Sequence, residues 1–205
     1  MKKLKLILAT LFLPILVFAQ NNGLQQLKES VDKILSYPAV KVSFRMIQNR
    51  ETRKGEMVMS GLAFMIATET GDYETWFDGK TMWTWSDMTQ EISMTEPSAE
   101  EIAEVNPFMI ISDAAKNYNV SVVSDNNKDI QLKLVPEKKK GALVKSAVLT
   151  LNKSTKLPQS MEITLNDRQT ITFEFLKIEA VKKMSPKEFR YKEEYHPGYD
   201  IIDLR

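Results

Sequence analysis

Residues 76–85 read Trp-Phe-Asp-Gly-Lys-Thr-Met-Trp-Thr-Trp, and this stretch contains all three tryptophans of the 205-residue chain. Asp78-Gly79 at its centre predicts a hairpin with a two-residue type I′ turn, because both central positions of that turn need positive φ. Such a turn pairs Trp76 with Thr81. Side chains alternate along a strand, so the three tryptophans would share one face of the hairpin. We therefore expect an aromatic wall here.

Two short helices are predicted after this hairpin. Ser98-Ala99-Glu100-Glu101 has the pattern of a capping box, with Ser98 as the N-cap and Glu101 reaching back to it. Asn106-Pro107 restarts a helix, since Asn is a good N-cap and Pro suits the first helical position. Residues 108–111 then read Phe-Met-Ile-Ile, which is too apolar to face solvent. The pattern predicts a helical flap that packs against the sheet.

The rest of the chain predicts one N-terminal helix and many strands. Gly23–Ser36 is amphipathic, with Leu24, Leu27, Val31, Ile34 and Leu35 on its apolar face. Alternating segments separated by turn residues then predict about ten strands, with a polar turn at residues 50–54. We expect a mainly β (α+β) fold: a strongly curved antiparallel sheet or unclosed barrel, with the helices over its concave side.

One hairpin register can be predicted from side-chain alternation. A three-residue loop at residues 166–168 would pair Ile163 with Ile171 and Met161 with Phe173. A two-residue loop would place these apolar side chains on opposite faces of the sheet. We therefore prefer the longer loop.

The first nineteen residues have the features of a signal peptide. A basic start with Lys2, Lys3 and Lys5 precedes a largely apolar run, and small residues lead to a predicted cleavage after Ala19. An uncleaved membrane anchor is the alternative, but a spanning helix needs about 20 predominantly apolar residues. We therefore expect an exported protein in the periplasm, with residues 20–205 forming a single domain.

Composition excludes several functional classes. Loss of Lys2, Lys3 and Lys5 would leave 25 of the 28 basic residues against 27 acidic residues. This balance argues against a nucleic-acid partner, which would call for a basic surface. The chain has no cysteine, so a disulfide, a thiolate nucleophile and a cysteine-based metal site are all impossible.

Catalytic patterns are sparse, and we expect no enzyme activity, cofactor or metal. His196 is the single histidine, so a Ser-His-Asp triad would depend on it. The adjacent carboxylates Glu100-Glu101 and Glu193-Glu194 are better explained as helix-start and surface charges. Lys138–Lys140 is interpreted as a solvated turn, with contact to a membrane surface as the alternative.

Methionine is frequent between the second strand and the flap. Seven methionines fall in this region: Met57, Met59, Met65, Met82, Met88, Met94 and Met109. Flexible, polarizable methionines suit a surface that repacks around variable apolar ligands. Simple filling of the core is the alternative, and composition alone favours it.

The hairpin and flap resemble the LolA family of periplasmic carriers of outer-membrane lipoproteins. The matching segments are residues 78–83 (Asp-Gly-Lys-Thr-Met-Trp), residues 107–111 (Pro-Phe-Met-Ile-Ile) and Phe189-Arg190-Tyr191, which leads through Pro197-Gly198 to Asp203 and Arg205. The resemblance implies an unclosed barrel whose apolar cavity accepts the acyl chains of a lipoprotein. It also implies partners: an inner-membrane ATP-driven transporter that releases the lipoprotein, and an outer-membrane acceptor whose identity the sequence does not indicate.

One segment departs from the family pattern. Members usually carry a Lys/Arg-Arg-Pro segment whose arginine latches the lid, whereas this chain has Ser60-Gly61-Leu62. We expect contacts of Phe108 and Met109 with the tryptophan wall to hold the lid instead. The missing latch and the methionine-rich strands resemble the divergent branch found in Bacteroidetes-type bacteria.

The resemblance and the strand patterns together predict the site of a monomeric carrier. The lid would consist of Phe108, Met109 and Ile111. The wall of the acyl-chain cavity would include Phe44, Met57, Met59, Phe64, Ile66, Trp76, Trp83, Trp85, Ile163, Phe173 and Phe175. Two alternatives remain: a domain of the same fold that senses lipids or lipoproteins, and a periplasmic hydrolase that uses His196.

Overall fold

The computed structural model describes residues 13–137 and 143–205, with side chains from residue 22 onwards. The predicted lysine-rich turn at residues 138–140 and the first twelve residues of the predicted leader lie outside the described residues. The remaining leader residues belong to the first helix, which spans Leu13–Leu35 and so begins earlier than Gly23. No helix within the described ranges is long and apolar enough to cross a membrane.

The described part of the chain contains three α-helices, one short 3₁₀ helix and twelve strands. The helices are α1 (Leu13–Leu35), α2 (Ala99–Val105), α3 (Pro107–Asn117) and the 3₁₀ helix Pro186–Phe189. The strands are β1 (Ala39–Gln48), β2 (Glu51–Ser60), β3 (Ala63–Thr68), β4 (Tyr73–Phe77), β5 (Met82–Ser86), β6 (Glu91–Thr95), β7 (Tyr118–Asp125), β8 (Asp129–Pro136), β9 (Val144–Asn152), β10 (Pro158–Leu165), β11 (Thr170–Val181) and β12 (Ile201–Asp203).

All twelve described strands belong to one sheet with the order β12-β6-β5-β4-β3-β2-β1-β11-β10-β9-β8-β7. Neighbouring strands are antiparallel except for β12, which runs parallel to β6. β12 and β7 form the two edges, so the sheet is curved but does not close. The prediction of a mainly β, unclosed antiparallel fold with helices is confirmed.

The two faces of this sheet have different covers. We call the face covered by α1, α2 and α3 the helical side; its core includes Val42, Leu132 and Leu149, which are fully buried. We call the opposite face the tail side, because aromatic residues of the tail (residues 190–205) pack on it over Trp76 and Trp85, while β12 within the tail pairs with β6 at the edge of the sheet. A separate cluster of Trp76, Trp85 and Ile92 is buried there. Strand alternation determines which residues reach each face.

The helix α1 packs most of its predicted apolar face on the helical side. Leu27 is fully buried, and Leu24, Val31 and Ile34 pack against the same core. Leu35 is 70% exposed, so its predicted place on the buried face is wrong. The helix ends at this residue, and the side chain therefore projects beyond the part of α1 that packs on the sheet.

The predicted polar turn at residues 50–54 is wrong. β2 begins at Glu51 and pairs with β1 along its whole length, with Gln48 opposite Glu51. The turn consists of Asn49 and Arg50, both with positive φ (52° and 68°). A type I′ turn has this conformation, and Asn favours it. Polar residues 51–54 are thus the first four residues of β2.

The predicted turn at Asp78-Gly79 has the right place and the wrong length. Trp76 pairs with Trp83 and Phe77 with Met82, so the loop has four residues. The Oδ1 atom of Asp78 accepts hydrogen bonds from the backbone N–H groups of Lys80 (3.0 Å) and Thr81 (2.9 Å). Asp commonly stabilises turns in this way, and here it favours the longer loop. The register shifts by two residues, so the three tryptophans still share one face.

The loop between β10 and β11 has the predicted register. Ile163 lies opposite Ile171, and Met161 lies opposite Phe173. The φ of Arg168 is 72°, and its backbone N–H donates to the carbonyl of Leu165 over 3.0 Å. The requirement that apolar side chains share one face was therefore sufficient to determine this pairing.

Candidate functional site

The tryptophans lie on the tail side, and their predicted place in the wall beneath the helices is wrong. Trp76 pairs with Met65 of β3, whereas its neighbour Phe77 pairs with Phe64 on the helical side. Trp83 and Trp85 follow the same alternation as Trp76. Both faces of this hairpin carry large apolar residues, so the sequence pattern could not identify the one that faces the helices.

Aromatic residues of the tail cover these tryptophans. The ring of Tyr195 stacks on Trp76 at 5.6 Å, and that of His196 stacks on Trp85 at 4.3 Å between centroids. The indole N–H of Trp85 donates to the carbonyl of Gly71 over 3.2 Å. Trp76 and Trp85 are 3% and 4% exposed. This cluster is filled by the chain itself and therefore acts as a structural anchor for the tail.

Two of the segments that carry the family resemblance meet at the tail. The Nε atom of Arg190 lies 2.8 Å from Oδ2 of Asp78, whose side chain is 7% exposed. Burial works to raise the pKa of Asp78, but hydrogen bonds from the backbone N–H groups of Thr81 and Lys80 and from Arg190 outweigh it and lower the pKa. The ionised Asp78 therefore joins the β4–β5 turn to the tail.

The other predicted wall residues reach the helical side. They are Phe44, Met57, Met59, Phe64, Ile66, Ile163, Phe173 and Phe175. Three of them, Phe44, Ile66 and Phe173, line a cavity of about 230 Å³ that is covered by the end of α2. Its apolar lining consists of Phe44, Met46, Ile66, Val105, Ile171 and Phe173. Met46 and Ile171 were missed, although each lies two residues from a predicted wall residue on the same strand and so on the same face.

The same cavity has polar lining residues. They are Gln48, Arg53, Thr68, Tyr73 and Glu104. Arg53 and Gln48 lie at the β1–β2 end of the sheet, next to the turn at residues 49–50. Sequence reasoning missed Arg53 because it assigned that residue to a turn rather than to a strand. The site is thus an apolar cavity with charged and amide groups among its lining residues.

The two short helices on the helical side, α2 and α3, are both well capped. The predicted capping box of α2 is present, with Ser98 N donating to Glu101 Oε2 over 2.7 Å and Glu101 N donating to Ser98 Oγ over 3.2 Å. Asn106 Oδ1 accepts from the backbone N–H of Phe108 at the start of α3. Short helices need such caps because their first N–H groups have no partner within the helix.

Two of the three predicted lid residues face the sheet. Phe108 is buried and its ring lies 5.0 Å from that of Phe175, while Ile111 is fully buried. Met109 is only partly buried and lines a groove on the outer surface of the helices. Phe108 contacts Phe175 rather than a tryptophan, so the expected contact between lid and tryptophan wall is wrong. The contact between the rings of Phe108 and Phe175 holds α3 against the sheet instead.

The segment Ser60-Gly61-Leu62, where the family has its latch, does not contact the lid through a side-chain hydrogen bond among the described residues. Ser60 Oγ instead donates to the carbonyl of Met184 over 2.9 Å. The buried Asn106, between α2 and α3, places its Nδ2 atom 3.6 Å from the sulfur of Met59. This weak contact and the Phe108–Phe175 ring contact join the start of α3 to the sheet.

Helix α2 lies between the cavity and a groove on the outer surface. Glu104 and Val105 line the cavity of about 230 Å³, and Ala99, Glu100 and Ala103 line the outer groove of about 490 Å³. The groove also includes Met109 and Tyr118 of α3 and β7. Ile102 is the buried residue of this seven-residue helix. Sequence reasoning missed the groove, since nothing in the pattern shows how closely two short helices pack.

The methionines are divided among several environments. Met57 and Met59 are buried on the helical side, Met65 packs on the tail side and Met88 is 90% exposed. A single methionine-rich ligand surface is therefore not formed. Met46 lines the cavity and Met109 lines the groove.

Replacing Glu104 with glutamine is expected to raise the melting temperature at neutral pH. Burial, and then the nearby charges of Glu101 and Asp167, raise the pKa of Glu104 above its ordinary value. The native state therefore binds the proton of the Glu104 carboxyl group more tightly than the unfolded state does. Above the pKa of Glu104 in the folded protein, the charged side chain thus destabilises the native state. Thermal unfolding followed by circular dichroism should show a higher melting temperature for the variant than for the wild type at about pH 7. The two melting temperatures should be equal below about pH 4.

The control for this variant is Glu100→Gln on the exposed surface of the same helix. Glu100 lies in the first turn, where the helix dipole favours a negative charge, so its loss should leave the melting temperature unchanged or slightly lower. Equal gains in both variants would indicate a general charge effect and not the burial of Glu104.

The histidine on which a catalytic triad would depend is not at the cavity. His196 lies on the tail side, with Nε2 3.5 Å from Oε2 of Glu74 and its ring against Trp85. A triad built on this histidine is therefore separated from the cavity by the sheet. Among the described residues, no group of three or more His, Cys, Asp or Glu side chains is placed to hold a metal ion.

Fold and site together define a class of protein: an unclosed antiparallel sheet with a helix-covered apolar cavity. The family model described as outer membrane lipoprotein carrier protein LolA matches residues 50–167, which is more than half of the chain. The chain belongs to this family. The matched region includes the β4–β5 hairpin, α2, α3 and the residues that cover the cavity. No curated protein sequence matches the chain.

Solved structures share the fold at low sequence identity. A Vibrio parahaemolyticus domain named as an outer membrane lipoprotein-sorting protein domain has 10% identity and a TM-score of 0.51, covering 83% of this chain and 97% of its own. An uncharacterized conserved protein from Thermus thermophilus has 11% identity and a TM-score of 0.54, covering 87% and 98%. A DUF1329 family protein from Desulfovibrio piger has 10% identity and a TM-score of 0.54, covering 84% and 98%. At these identities the likeness establishes the fold alone.

Proposed function

We propose that the protein is a periplasmic chaperone that carries lipoproteins from the inner to the outer membrane by sheltering their acyl chains. The observation that supports this most directly is the cavity of about 230 Å³ on the helical side, with Phe44, Ile66 and Phe173 in its lining. Membership of the LolA family supports the same function. In this proposal the helical side, and not the tryptophan cluster, receives the ligand.

The physical need for such a carrier follows from the hydrophobic effect. Each buried methylene is worth about 0.8 kcal/mol, so a chain of about fifteen methylenes would cost roughly 12 kcal/mol to expose to water. A lipoprotein therefore needs a sheltering protein to cross an aqueous compartment. Release requires that the shelter can also open, which a cavity covered by short helices permits.

Opening of the cover is part of the proposal. The cavity of about 230 Å³ is smaller than the sites that usually hold small ligands, which measure about 300–1,000 Å³. Outward movement of α2 would join it to the neighbouring groove of about 490 Å³. The small number of buried groups on α2 makes it the part of the cover that moves most easily, while Phe108 and Ile111 keep α3 on the sheet.

The partners in this proposal are those of a carrier. An inner-membrane ATP-driven transporter would deliver the lipoprotein, and an acceptor at the outer membrane would receive it. We propose that residues 1–19 are removed on export and that residues 20–205 act as one monomeric domain without a cofactor. The Glu104 side chain, with its raised pKa, lies at the helix that must move and would make closure easier at lower pH.

Mixing residues 20–205 with an acylated lipoprotein in detergent, and then removing the detergent, should leave a soluble one-to-one complex. Gel filtration with light scattering measures its mass, and mass spectrometry of the peak identifies the lipid. The matched control is the same lipoprotein without its acyl chains, which should elute separately. Precipitation of the acylated lipoprotein despite the carrier, or equal binding of the non-acylated form, would refute the proposed function.

A further inference from the structure

Arg53 gives the cavity a polar end. Among the described residues that line the cavity, Arg53 is the cationic one. It lies opposite Met46 in the β1–β2 pairing, on the strand positions that face the helices. Its side chain is 41% exposed, whereas Phe44 and Phe173 are each 3% exposed. The cavity therefore has an apolar interior and a guanidinium group near its solvent-facing end.

Two carboxylates hold this guanidinium in place from one side. Nη2 of Arg53 lies 3.2 Å from Glu51 Oε2, and Nε lies 3.4 Å from Asp72 Oδ2. Asp72 is itself fixed by hydroxyl groups: hydrogen bonds from Thr68 and then Thr70 lower its pKa, and the charge of Arg53 adds to this effect. Asp72 is therefore ionised at neutral pH and positions the arginine.

This arrangement leaves part of the guanidinium available to a ligand. An arginine side chain has five N–H groups in a planar fork. Within the described part of the chain, its contacts with Glu51 and Asp72 engage the Nε atom and one N–H of Nη2. The remaining N–H groups can donate to oxygen atoms at the end of the cavity, next to the amide of Gln48.

We propose that Arg53 forms a head subsite that binds the carbonyl or carboxylate oxygen at the first carbon of an acyl chain lying in the cavity. This inference rests on the proposed function and adds a recognition element to it. A guanidinium donates well to either oxygen type. Glu104 lines the same cavity, however, and its carboxylate would repel the carboxylate of a bound fatty acid. The neutral ester of an acylglycerol, as in a lipoprotein anchor, is therefore the preferred ligand over a free fatty acid.

Three lipids with the same chain length test the subsite. Monopalmitoylglycerol has an ester carbonyl, hexadecylglycerol ether lacks it, and palmitate has a carboxylate. Binding of each radiolabelled lipid below its micelle concentration is measured by equilibrium dialysis. We expect the wild-type protein to bind the ester about tenfold more tightly than the ether, since one charge-assisted hydrogen bond is lost. Palmitate should bind more weakly than the ester.

Arg53→Met is expected to remove the preference for the ester, because it keeps an apolar stem and has no donor. Arg45→Met is the matched control: Arg45 is also 41% exposed and lies 3.1 Å from Glu174, but it is on the other face of the adjoining strand. The preference should persist in that variant. The ester-to-ether ratio of the wild-type protein tests the subsite even if Arg53→Met does not fold.

The possible outcomes separate the subsite from the carrier proposal. Equal affinity of the wild-type protein for ester and ether overturns the subsite and leaves the apolar cavity as the site. An equal loss of preference in both arginine variants also overturns it. Tighter binding of palmitate than of the ester supports the subsite. It overturns the assignment of the ester as the preferred ligand and replaces it with a free fatty acid. Failure of all three lipids to bind contradicts both the subsite and the proposed function.

Discussion

Replacing Gly55 with alanine is expected to lower the free energy of unfolding by about 3 kcal/mol or more. A Cβ atom at this position would lie 2.4 Å from the carbonyl oxygen of Ala67 and 2.8 Å from Cζ of Phe44. The carbonyl belongs to the paired strand β3, so it cannot move without disturbing the sheet. Urea unfolding should show the loss, and the melting temperature should fall by about 6–12 °C.

Gly61→Ala is the control for Gly55→Ala. Gly61 has a φ of +64°, and a Cβ atom added there would have no atom within 4 Å, so only backbone strain opposes the new side chain. That strain costs about 1 kcal/mol. Similar losses in both variants would contradict the close approach of β2 and β3 at Gly55. Because Phe44 lines the cavity, Gly55→Ala should also weaken acyl binding while Gly61→Ala should not.

Trp85→Ala and Phe173→Ala are expected to destabilise the protein by similar amounts, about 3–5 kcal/mol, and to differ in function. Both side chains are buried, at 4% and 3% exposure. Trp85 lies beneath the tail, and Phe173 lines the cavity on the helical side. Only Phe173→Ala should change the affinity for acyl ligands, measured by dialysis at a temperature where both variants are folded.

Loss of Trp85 should also release the tail. Its ring supports His196 at 4.3 Å and Tyr199 at 4.6 Å, so the variant should be cleaved by trypsin near Lys192 faster than the wild type or Phe173→Ala. Abolished acyl binding in a folded Trp85→Ala protein, with binding retained in Phe173→Ala, would move the site to the tail side. That outcome would refute the assignment of the helical side as the binding surface.

Local sequence signals predicted local structure well. The capping box at Ser98 and Glu101 and the Asn106-Pro107 helix start depend on groups within three residues of each other, and both are present. The pairing of Ile163 with Ile171 followed from alternation, since one register alone placed the apolar side chains together. In these cases residues near one another in the chain decide which arrangement is more stable, so a local pattern was enough to predict it.

Turn lengths were less predictable than turn positions. Asn49 and Arg50 form a two-residue turn with positive φ, although the polar residues after them were typical of a longer loop. Asp78-Gly79 has the preferred sequence for a two-residue turn, yet Asp78 accepts two backbone hydrogen bonds and stabilises a four-residue loop. The free-energy difference between such turns is small, and the pairing of whole strands decides it.

The site was predicted in part, and the wrong placement of the tryptophans has an identifiable cause. The wall residues of β1, β2, β3, β10 and β11 were predicted from the family resemblance and the strand patterns together, and they do lie on the helical side. The tryptophan hairpin has apolar residues on both faces, because Phe77 and Met82 face the helices while Trp76 and Trp83 face the tail. Alternation cannot orient a strand whose two faces are both buried.

The mainly β class, the capped helix pair and the family to which the chain belongs follow from the order of the amino acids, because each depends on residues close together in the chain. The face of the tryptophan hairpin that meets the helices, and the meeting of Arg53 and Glu104 at one cavity, came from the folded chain alone. Both features depend on where segments far away in the sequence, the tail and α2, pack on the sheet. Burial of the tail aromatics against Trp76 and Trp85 is a long-range interaction that no local pattern encodes.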